Sequence, residues 1–259
     1  MNNITLNKHI PVMLEQIKSF IPYNKKINII DATFGGGGYS RSILKFYKVN
    51  KLIAIDRDPI SKFFAHELKV KYPNKFNLIN GCFSEIDLLV KKCLSSKEKQ
   101  IKFDIIIFDL GLSSNQLDDF KRGFSFQNEG PLDMRMGSNK LLAFDIINSF
   151  PREKIANIIF NYGEEKYARK IAKNIIEHRN IEIIKNTSEL VQIIKKSIPF
   201  NSKKIKINPA TKTFQALRIY VNDELNEIKN ALEKTEHLLA QNGRLLIVSF
   251  QSLEDKIVK

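Results

Sequence analysis

The chain has 259 residues, which is enough for one large α/β domain or for a domain that carries a smaller insertion. Its 42 Lys and Arg against 28 Asp and Glu give a formal net charge of +14, which favours a polyanionic partner such as nucleic acid. The two cysteines, Cys82 and Cys93, exclude a disulfide framework, and the absence of signal-peptide and membrane-spanning patterns predicts a soluble, cytoplasmic protein.

Short apolar strands alternate with helical segments over the first part of the chain. The strands are predicted at 27–32, 51–56, 76–80 and 103–109. This alternation predicts right-handed βαβ crossovers and a parallel sheet with helices on both faces. Three of the strands end in an acidic residue, namely Asp31, Asp56 and Asp109. Ligands of such sheets bind beyond the carboxyl ends of the strands, so we expect these carboxylates in the ligand site.

The alternation stops after Asp109, and roughly a hundred residues pass before the next strand, far more than a loop requires. Helical patterns are predicted at 141–160, 164–178 and 187–197. A further helix is predicted from Thr213 to the Asn242-Gly243 pair, followed by a fifth strand at 243–250. We therefore predict a sheet domain formed by 1–111 and 213–259, with an inserted helical domain at 112–212.

A glycine-rich loop, Gly35–Gly38, follows the first strand. Glycines there let a ligand approach the backbone closely, although a tight structural turn is the alternative. Asp56 comes 19 residues after Gly37, where a carboxylate can accept hydrogen bonds from ribose hydroxyls. A dinucleotide motif would have Gly or Ala at Ser40. Asp31 suits the amino acid end of S-adenosylmethionine, so the loop favours that cofactor over a nicotinamide dinucleotide.

Asp109 opens the segment that runs to Gln116, beside the expected position of a transferable methyl group. A carboxylate there can accept a hydrogen bond from a nucleophilic amine, so Asp109 is the first catalytic candidate and Ser113 the second. The alternative is that Asp109 caps a turn. Phe83, after the third strand, could border an adenine or pack in the core. No Cys stands near for attack on a pyrimidine ring, and no cluster suggests a metal.

A basic segment without Asp or Glu spans residues 195–212. Its lysines are Lys195, Lys196, Lys203, Lys204, Lys206 and Lys212. Such a segment can follow the phosphates of RNA, and Phe200, Phe124 and Phe126 could stack on unpaired bases. A solvated basic face is the alternative.

Short motifs distributed along most of the chain carry a family resemblance. They are His9–Val12, Asp31–Gly35, Ala54–Pro59, Asp109–Ser114, Gln116–Asp118, Arg122–Phe126, Gly130–Met136, Tyr162–Glu165, Pro209–Arg218 and Ser249–Asp255. Together they resemble the bacterial ribosomal RNA small subunit methyltransferase H family, which methylates N4 of a decoding-centre cytidine in 16S rRNA. The resemblance implies a Rossmann-like class I methyltransferase sheet with an inserted small helical domain that recognises RNA in the small ribosomal subunit.

The resemblance also implies a set of cofactor contacts. They fall on Gly37, Gly38, Tyr39, Asp56, Phe83, Asp109 and Gln116. Gly36 and Tyr39 replace common basic and His residues, and Gln251 replaces the usual His of its motif. The family continues beyond the position of Lys259, so its terminal strands are apparently missing here. Two alternatives therefore accompany the methyltransferase hypothesis: a truncated RNA-binding relic of that enzyme and, more remotely, a nicotinamide dehydrogenase.

Overall fold

The computed structural model describes residues 10–98, 100–199 and 208–259. The chain divides into two compact units. The first comprises the residues up to Ser114 together with Leu225–Lys259, and the second comprises Asn115–Glu224. The second unit thus includes the helix that begins at Thr211, most of which the sequence-based division assigned to the sheet domain. The predicted functional division at 112 and 212 stays a prediction.

The first unit is built on a parallel sheet of five strands. They are β1 (Ile27–Asp31), β2 (Val49–Asp56), β3 (Phe76–Asn80), β4 (Phe103–Asp109) and β5 (Leu239–Val248). Their order is β3-β2-β1-β4-β5, with every neighbouring pair parallel. The predicted Rossmann-like fold class is confirmed. The strand order reverses between β1 and β4, which is the point where ligands of such sheets bind.

Helices precede, connect or follow these strands. They are α1 (Leu14–Ser19), α2 (Gly38–Phe46), α3 (Ser61–Lys71), α4 (Ile86–Cys93), α11 (Glu224–Thr235) and α12 (Ser252–Val258). The short helix α5 (Ser114–Asp118) begins at the last residue of this part of the first unit and otherwise belongs to the second unit. Successive strand side chains face opposite sides of the sheet, and both sides are covered. Ile29 of β1 is buried in one apolar cluster, whereas the next residue, Ile30, is buried in the other. Burial on both faces explains why the strands are continuous apolar runs.

The second unit consists of helices and loops. Its helices are α6 (Ala143–Ser149), α7 (Arg152–Gly163), α8 (Ala168–Arg179), α9 (Thr187–Ser197) and α10 (Thr211–Asn222). The helical pattern predicted at 141–160 is two helices, because the chain is extended at Phe150 and Pro151. Asn186 begins α9 by accepting a hydrogen bond from the Glu189 N–H at 2.9 Å. In the part of the chain that the structure describes, no helix is both long and apolar enough to cross a membrane.

The single helix predicted from Thr213 to Asn242 was wrong. It is two helices, α10 and α11, separated at Asp223, whose backbone has a left-handed φ of 52°. The Asn242-Gly243 pair does not end a helix, because β5 already begins at Leu239. The pair belongs to an irregularity in the pairing of β5 with β4. A Cβ on Gly243 would lie 2.9 Å from the Phe103 carbonyl oxygen, so close backbone approach explains this glycine.

Two loops of the second unit, 119–123 and 130–137, pack backbone against backbone. Gly123 has a φ of +69°, and a Cβ added there would lie 1.9 Å from the Pro131 carbonyl oxygen. A Cβ on Gly130 would likewise lie 2.0 Å from the Phe120 carbonyl oxygen. The Met134 N–H donates to the Arg122 carbonyl at 2.9 Å. The two glycines are therefore required by the approach of the two loops.

Replacing Gly123 by Ala should destabilise the protein by about 3 kcal/mol, because the added carbon meets a backbone oxygen at a left-handed position. Urea unfolding measures this as a lower transition midpoint. Lys121→Ala, an exposed change in the same loop, is the matched control and should alter stability by less than about 0.5 kcal/mol. An unchanged midpoint for Gly123→Ala would contradict the backbone contact.

Candidate active site

The glycine loop lies between the end of β1 and the start of α2. Gly35 and Gly37 have φ values of +53° and +78°, which residues other than glycine rarely adopt. A Cβ on Gly37 would also lie 2.6 Å from the Phe34 ring, which is buried beneath the loop. The Phe34 N–H donates to the Ile55 carbonyl of β2 at 3.0 Å. The loop is thus fixed to the sheet by Phe34, and both glycines are needed to shape it.

The Asp31 carboxyl group is fully buried at the end of β1. Its Oδ2 accepts a hydrogen bond from the Ser40 hydroxyl at 2.6 Å. Its Oδ1 has no hydrogen-bond partner among the described residues. Burial raises the pKa of Asp31 to about 6, although the Ser40 hydrogen bond opposes the shift. Ser40 was read from the sequence only as a misfit to the dinucleotide motif, and its role in holding Asp31 was missed.

Asp56 connects the end of β2 to the glycine loop. Its Oδ2 accepts from the Gly35 N–H at 2.6 Å, and its Oδ1 accepts from the Asp58 N–H at 2.7 Å. Burial raises the pKa of Asp56 to about 6, and the two backbone donors oppose the shift. A carboxylate has about four lone-pair sites. Asp56 can therefore hold the loop and still accept hydrogen bonds from a ligand.

Asp109 ends β4 beside β1. Its N–H donates to the Thr33 hydroxyl at 2.7 Å, which ties the ends of the two strands together. Its Oδ1 is buried and has no hydrogen-bond partner in the described part of the chain. Burial, reinforced by the nearby Asp31 and Glu254, raises the pKa of Asp109 to about 7. The Asp109 Oδ1 can therefore accept a hydrogen bond from a ligand, since no described residue donates to it. Thr33 was missed from the sequence.

Ser113 and Phe83 contact the elements around the strand ends, and their predicted roles stay predictions. The Ser113 Cβ is 3.4 Å from the position that a Cβ on Gly35 would take, so Ser113 borders the glycine loop. The Phe83 ring is half-buried and packs edge-on against Phe108, with the ring centroids 5.5 Å apart. Phe83 therefore contributes to the core, and its contact with an adenine stays a prediction.

Tyr39 belongs to the core of the first unit. Its ring is buried, and its hydroxyl donates to the Val12 carbonyl, which anchors the N-terminal segment. Burial, together with the negative charges of Asp109 and Asp31, raises the pKa of Tyr39. Tyr39 and Gly38 are the first residues of α2, so a cofactor contact by either would come from backbone N–H groups. Gln116 is buried and lies in the second unit, and its predicted cofactor contact stays a prediction.

A hydrogen-bonded turn follows β5. Glu254 is 1% exposed and accepts the Phe250 N–H at 2.8 Å and the Gln251 side-chain amide at 2.8 Å. The Gln251 Oε1 is buried without a hydrogen-bond partner among the described residues. The Ser249 hydroxyl donates to Asp255 at 2.8 Å. The sequence signal at this turn was the Ser249–Asp255 motif, which did not reveal that Glu254 orients Gln251.

The predicted RNA-binding lysines differ in their surroundings. Lys195 and Lys196 are exposed in the last turn of α9. The Lys212 ammonium donates to the Glu164 carbonyl at 2.9 Å, beyond the last residue of α7. Lys203, Lys204 and Lys206 lie outside the described residues, as does Phe200. Their contacts with RNA stay predictions.

Two phenylalanines that were predicted to stack on bases pack inside the second unit. Phe124 is buried, with the Arg122 guanidinium 5.4 Å from its ring centroid. Burial leaves the Phe124 ring no accessible face for a base. Phe126 packs edge-on against Phe214, with the centroids 5.3 Å apart.

A charged cavity of about 330 Å³ lies within the second unit. Its lining residues are Asp119, Lys121, Arg122, Asp133, Arg135 and Gly137. Arg135 is clamped by both oxygens of Asp133 at 2.8 Å, and Arg122 donates to the Arg135 carbonyl at 2.7 Å. The lining has three basic side chains and two acidic ones, and Arg135 is already paired with Asp133. Within 10–98, 100–199 and 208–259, no group of three or more His, Cys, Asp or Glu could hold a metal ion.

Comparison with known proteins identifies extensive similarity. Residues 6–259 match the MraW methylase family. The ribosomal RNA small subunit methyltransferase H of Rickettsia canadensis (strain McKiel) is 45% identical over 252 residues, which are 97% of this chain and 78% of that protein. The protein of the same name from Rhodospirillum rubrum is 42% identical over 254 residues, 98% of this chain and 76% of the relative.

Proposed function

The chain belongs to the MraW methylase family, and we propose that it transfers the methyl group of S-adenosylmethionine to N4 of a decoding-centre cytidine in 16S rRNA. The proposal rests on one observation above all. Carboxyl groups stand at the ends of β1, β2 and β4, and two of them have a buried oxygen that lacks a partner among the described residues. The names of the relatives support ribosomal RNA of the small subunit as the substrate.

The residues at the strand ends fit S-adenosylmethionine better than a dinucleotide. Its ammonium group can donate to Oδ1 of Asp31 or of Asp109, which each lack a described partner. Its ribose hydroxyls can donate to Asp56. The negatively charged pyrophosphate of a dinucleotide would instead be repelled by these carboxylates. When bound, S-adenosylmethionine supplies an electrophilic methyl group on its sulfonium.

Asp109 has two tasks at the reaction centre in this proposal. Its Oδ1 accepts a hydrogen bond from the exocyclic amine and thereby orients the nitrogen lone pair for in-line attack. The nitrogen must lose a proton once it has gained a carbon substituent, and a carboxyl group with a pKa near 7 can accept that proton at neutral pH. Ser113, beside the glycine loop, is the second candidate for contact with the amine. No covalent intermediate with the protein is required.

Contact with RNA is assigned to basic residues. The net charge of +14 favours a polyanionic substrate. The exposed Lys195 and Lys196 can contact phosphates, and Lys121, in the charged cavity, can contact another. Lys212 has less freedom than predicted, since its ammonium already holds a backbone carbonyl.

One assay tests the reaction and the substrate together. The protein is incubated with labelled S-adenosylmethionine and small ribosomal subunits that lack the modification, and the methylated base is mapped. We expect label on N4 of a single cytidine. Subunits that already carry the modification are the matched control and should remain unlabelled. RNA binding without any transfer would instead support the alternative of an RNA-binding protein without methyltransferase activity.

A further inference from the structure

The Gln251 carboxamide has a fixed orientation. A carboxylate only accepts hydrogen bonds, so the carboxamide atom that contacts Glu254 must be the nitrogen, which donates at 2.8 Å. The opposite atom is therefore the carbonyl oxygen, Oε1. Glu254 is itself held in place, because its second oxygen accepts the Phe250 N–H at 2.8 Å and the residue is 1% exposed. Glu254 thus orients the Gln251 side chain so that its Oε1 can accept a hydrogen bond.

That acceptor lacks a partner in the described part of the chain. The Gln251 Oε1 is buried and makes no hydrogen bond to any described residue. A buried acceptor without a partner costs on the order of 1–3 kcal/mol, so a ligand or a water that donates to it would be stabilised there. The partner must be a hydrogen-bond donor, since two acceptors would repel each other.

Gln251 follows the strand that borders Asp109. Asp109 pairs with Val248 across β4 and β5, and the Leu110 N–H donates to the Val248 carbonyl at 2.9 Å. A Cβ on Gly111 would lie 3.7 Å from the Phe250 ring, so the two chains continue side by side beyond the sheet. Asp31 and Asp56, the candidate contacts of the cofactor, lie on the other side of β4, on β1 and β2. Gln251 therefore lies on the side of Asp109 that is left for the methyl acceptor.

We propose that the Gln251 Oε1 accepts a hydrogen bond from the exocyclic amino group that receives the methyl. This inference rests on the proposed function. It makes Gln251 a substrate-contacting residue and Glu254 a positioning residue that acts through Gln251. An exocyclic amine has two N–H donors, so Asp109 and Gln251 can each accept one, and together they orient the nitrogen. The carboxamide is neutral throughout the working pH range, and it therefore holds the amine without competing for its proton.

A double-mutant cycle tests the contact. Gln251→Leu removes the acceptor, and Glu254→Gln allows the Gln251 carboxamide to turn over. We expect each change to lower kcat/KM for unmodified small subunits by about 10- to 100-fold. The double variant should lose no more than the worse single variant, because both changes act through the same oxygen. S-adenosylmethionine affinity, measured by calorimetry, should stay within about twofold of wild type in Gln251→Leu, as expected for a contact with the acceptor rather than the cofactor.

Gln241→Leu, an exposed change on β5, is the matched control and should retain the wild-type rate. Thermal unfolding of each variant shows that it is folded. Two results for Gln251→Leu would overturn the inference: methyl transfer at the full wild-type rate, or a loss of cofactor affinity as large as its loss of rate. In both cases methyl transfer by the wild-type protein would still support the proposed function. Independent, additive losses in the cycle would overturn the role of Glu254. If wild-type protein itself transfers no methyl group, the proposed function fails and the inference fails with it.

Discussion

Asp109→Asn is expected to lower the rate of methyl transfer by about 100-fold or more, because it removes both the charge that we propose orients the amine and the group that we propose accepts its proton. The side chain keeps its size, and the Asp109 N–H can still donate to the Thr33 hydroxyl. Cofactor affinity should fall less than the rate if Asp109 serves the amine, and as much as the rate if it mainly serves the ammonium of the cofactor. Single-turnover rates and calorimetry separate the two effects.

Asp104→Asn provides the control on the same strand. Asp104 stands at the amino end of β4, where it pairs with Lys25 at 2.6 Å, so its substitution should leave transfer near the wild-type rate. An equal loss in both variants would show that charge on β4 matters only through folding. Retention of the full rate in Asp109→Asn would remove Asp109 from the mechanism.

The pH dependence of the wild type follows from the raised pKa of Asp109, about 7. The ionised form accepts the proton, so the rate should rise as pH increases from about 6 to 8. Asp109→Asn should flatten this rise.

The free energy of unfolding of the ligand-free protein should change with pH in the opposite direction. Carboxyl groups whose folded-state pKa lies above the unfolded value contribute stability below pH 4 that is lost as pH rises through about 6 to 7. Thus these groups favour the ligand-free fold at acid pH.

The strands and their terminal carboxylates were predictable because both depend on local sequence. A parallel strand buried on both faces must be an apolar run, and an acid that ends such a run stands at the ligand edge of the sheet. The partners of these acids were not predictable. Ser40 contacts Asp31 from the first turn of a helix, and Thr33 contacts Asp109 from the loop that follows the neighbouring strand β1. Such pairings depend on how close the elements come in the fold, which periodicity does not encode.

The errors have the same origin. The apolar repeat continues through Asp223, so the sequence pattern gave one helix where a single left-handed residue makes two. The Asn242-Gly243 pair is a typical helix stop by composition, but Gly243 is explained by the Phe103 carbonyl of the neighbouring strand. In the loop that was predicted to bind bases, Phe124 is instead buried in the second unit. Contacts distant in sequence occur in each case, since Asn222, next to Asp223, accepts a hydrogen bond from the Met136 N–H at 2.8 Å.

Asp56→Ala should weaken S-adenosylmethionine binding by about 10- to 100-fold, because it removes the proposed acceptor for the ribose hydroxyls and one of the hydrogen bonds that hold the glycine loop. The Gly35 N–H loses its 2.6 Å partner, so the glycine loop keeps its Phe34–Ile55 hydrogen bond to β2 but is held less firmly there. Asp56→Asn keeps one acceptor oxygen and should show an intermediate loss. Calorimetric titration measures all three affinities.

A comparison of two acidic residues distinguishes the proposed contact of Asp56 with the ribose from a general effect of negative charge on cofactor affinity. Glu67 is an exposed acid whose carboxylate pairs with Arg41 at 2.8 Å. Glu67→Ala removes a charge of the same sign and leaves the hydrogen bond between Asp56 and Gly35 in place, and it reaches the loop only through Arg41, which donates to the Gly36 carbonyl at 3.0 Å. Its cofactor affinity should stay within about twofold of wild type. Equal losses of cofactor affinity in Glu67→Ala and Asp56→Ala would mean that the protein attracts the cationic cofactor only through its overall negative electrostatic potential at the sheet edge. If only Asp56→Ala loses cofactor affinity, the ribose binds at β2. The sulfonium then lies toward β1 and β4, where Asp109 and Gln251 can accept hydrogen bonds from the amine that receives the methyl group.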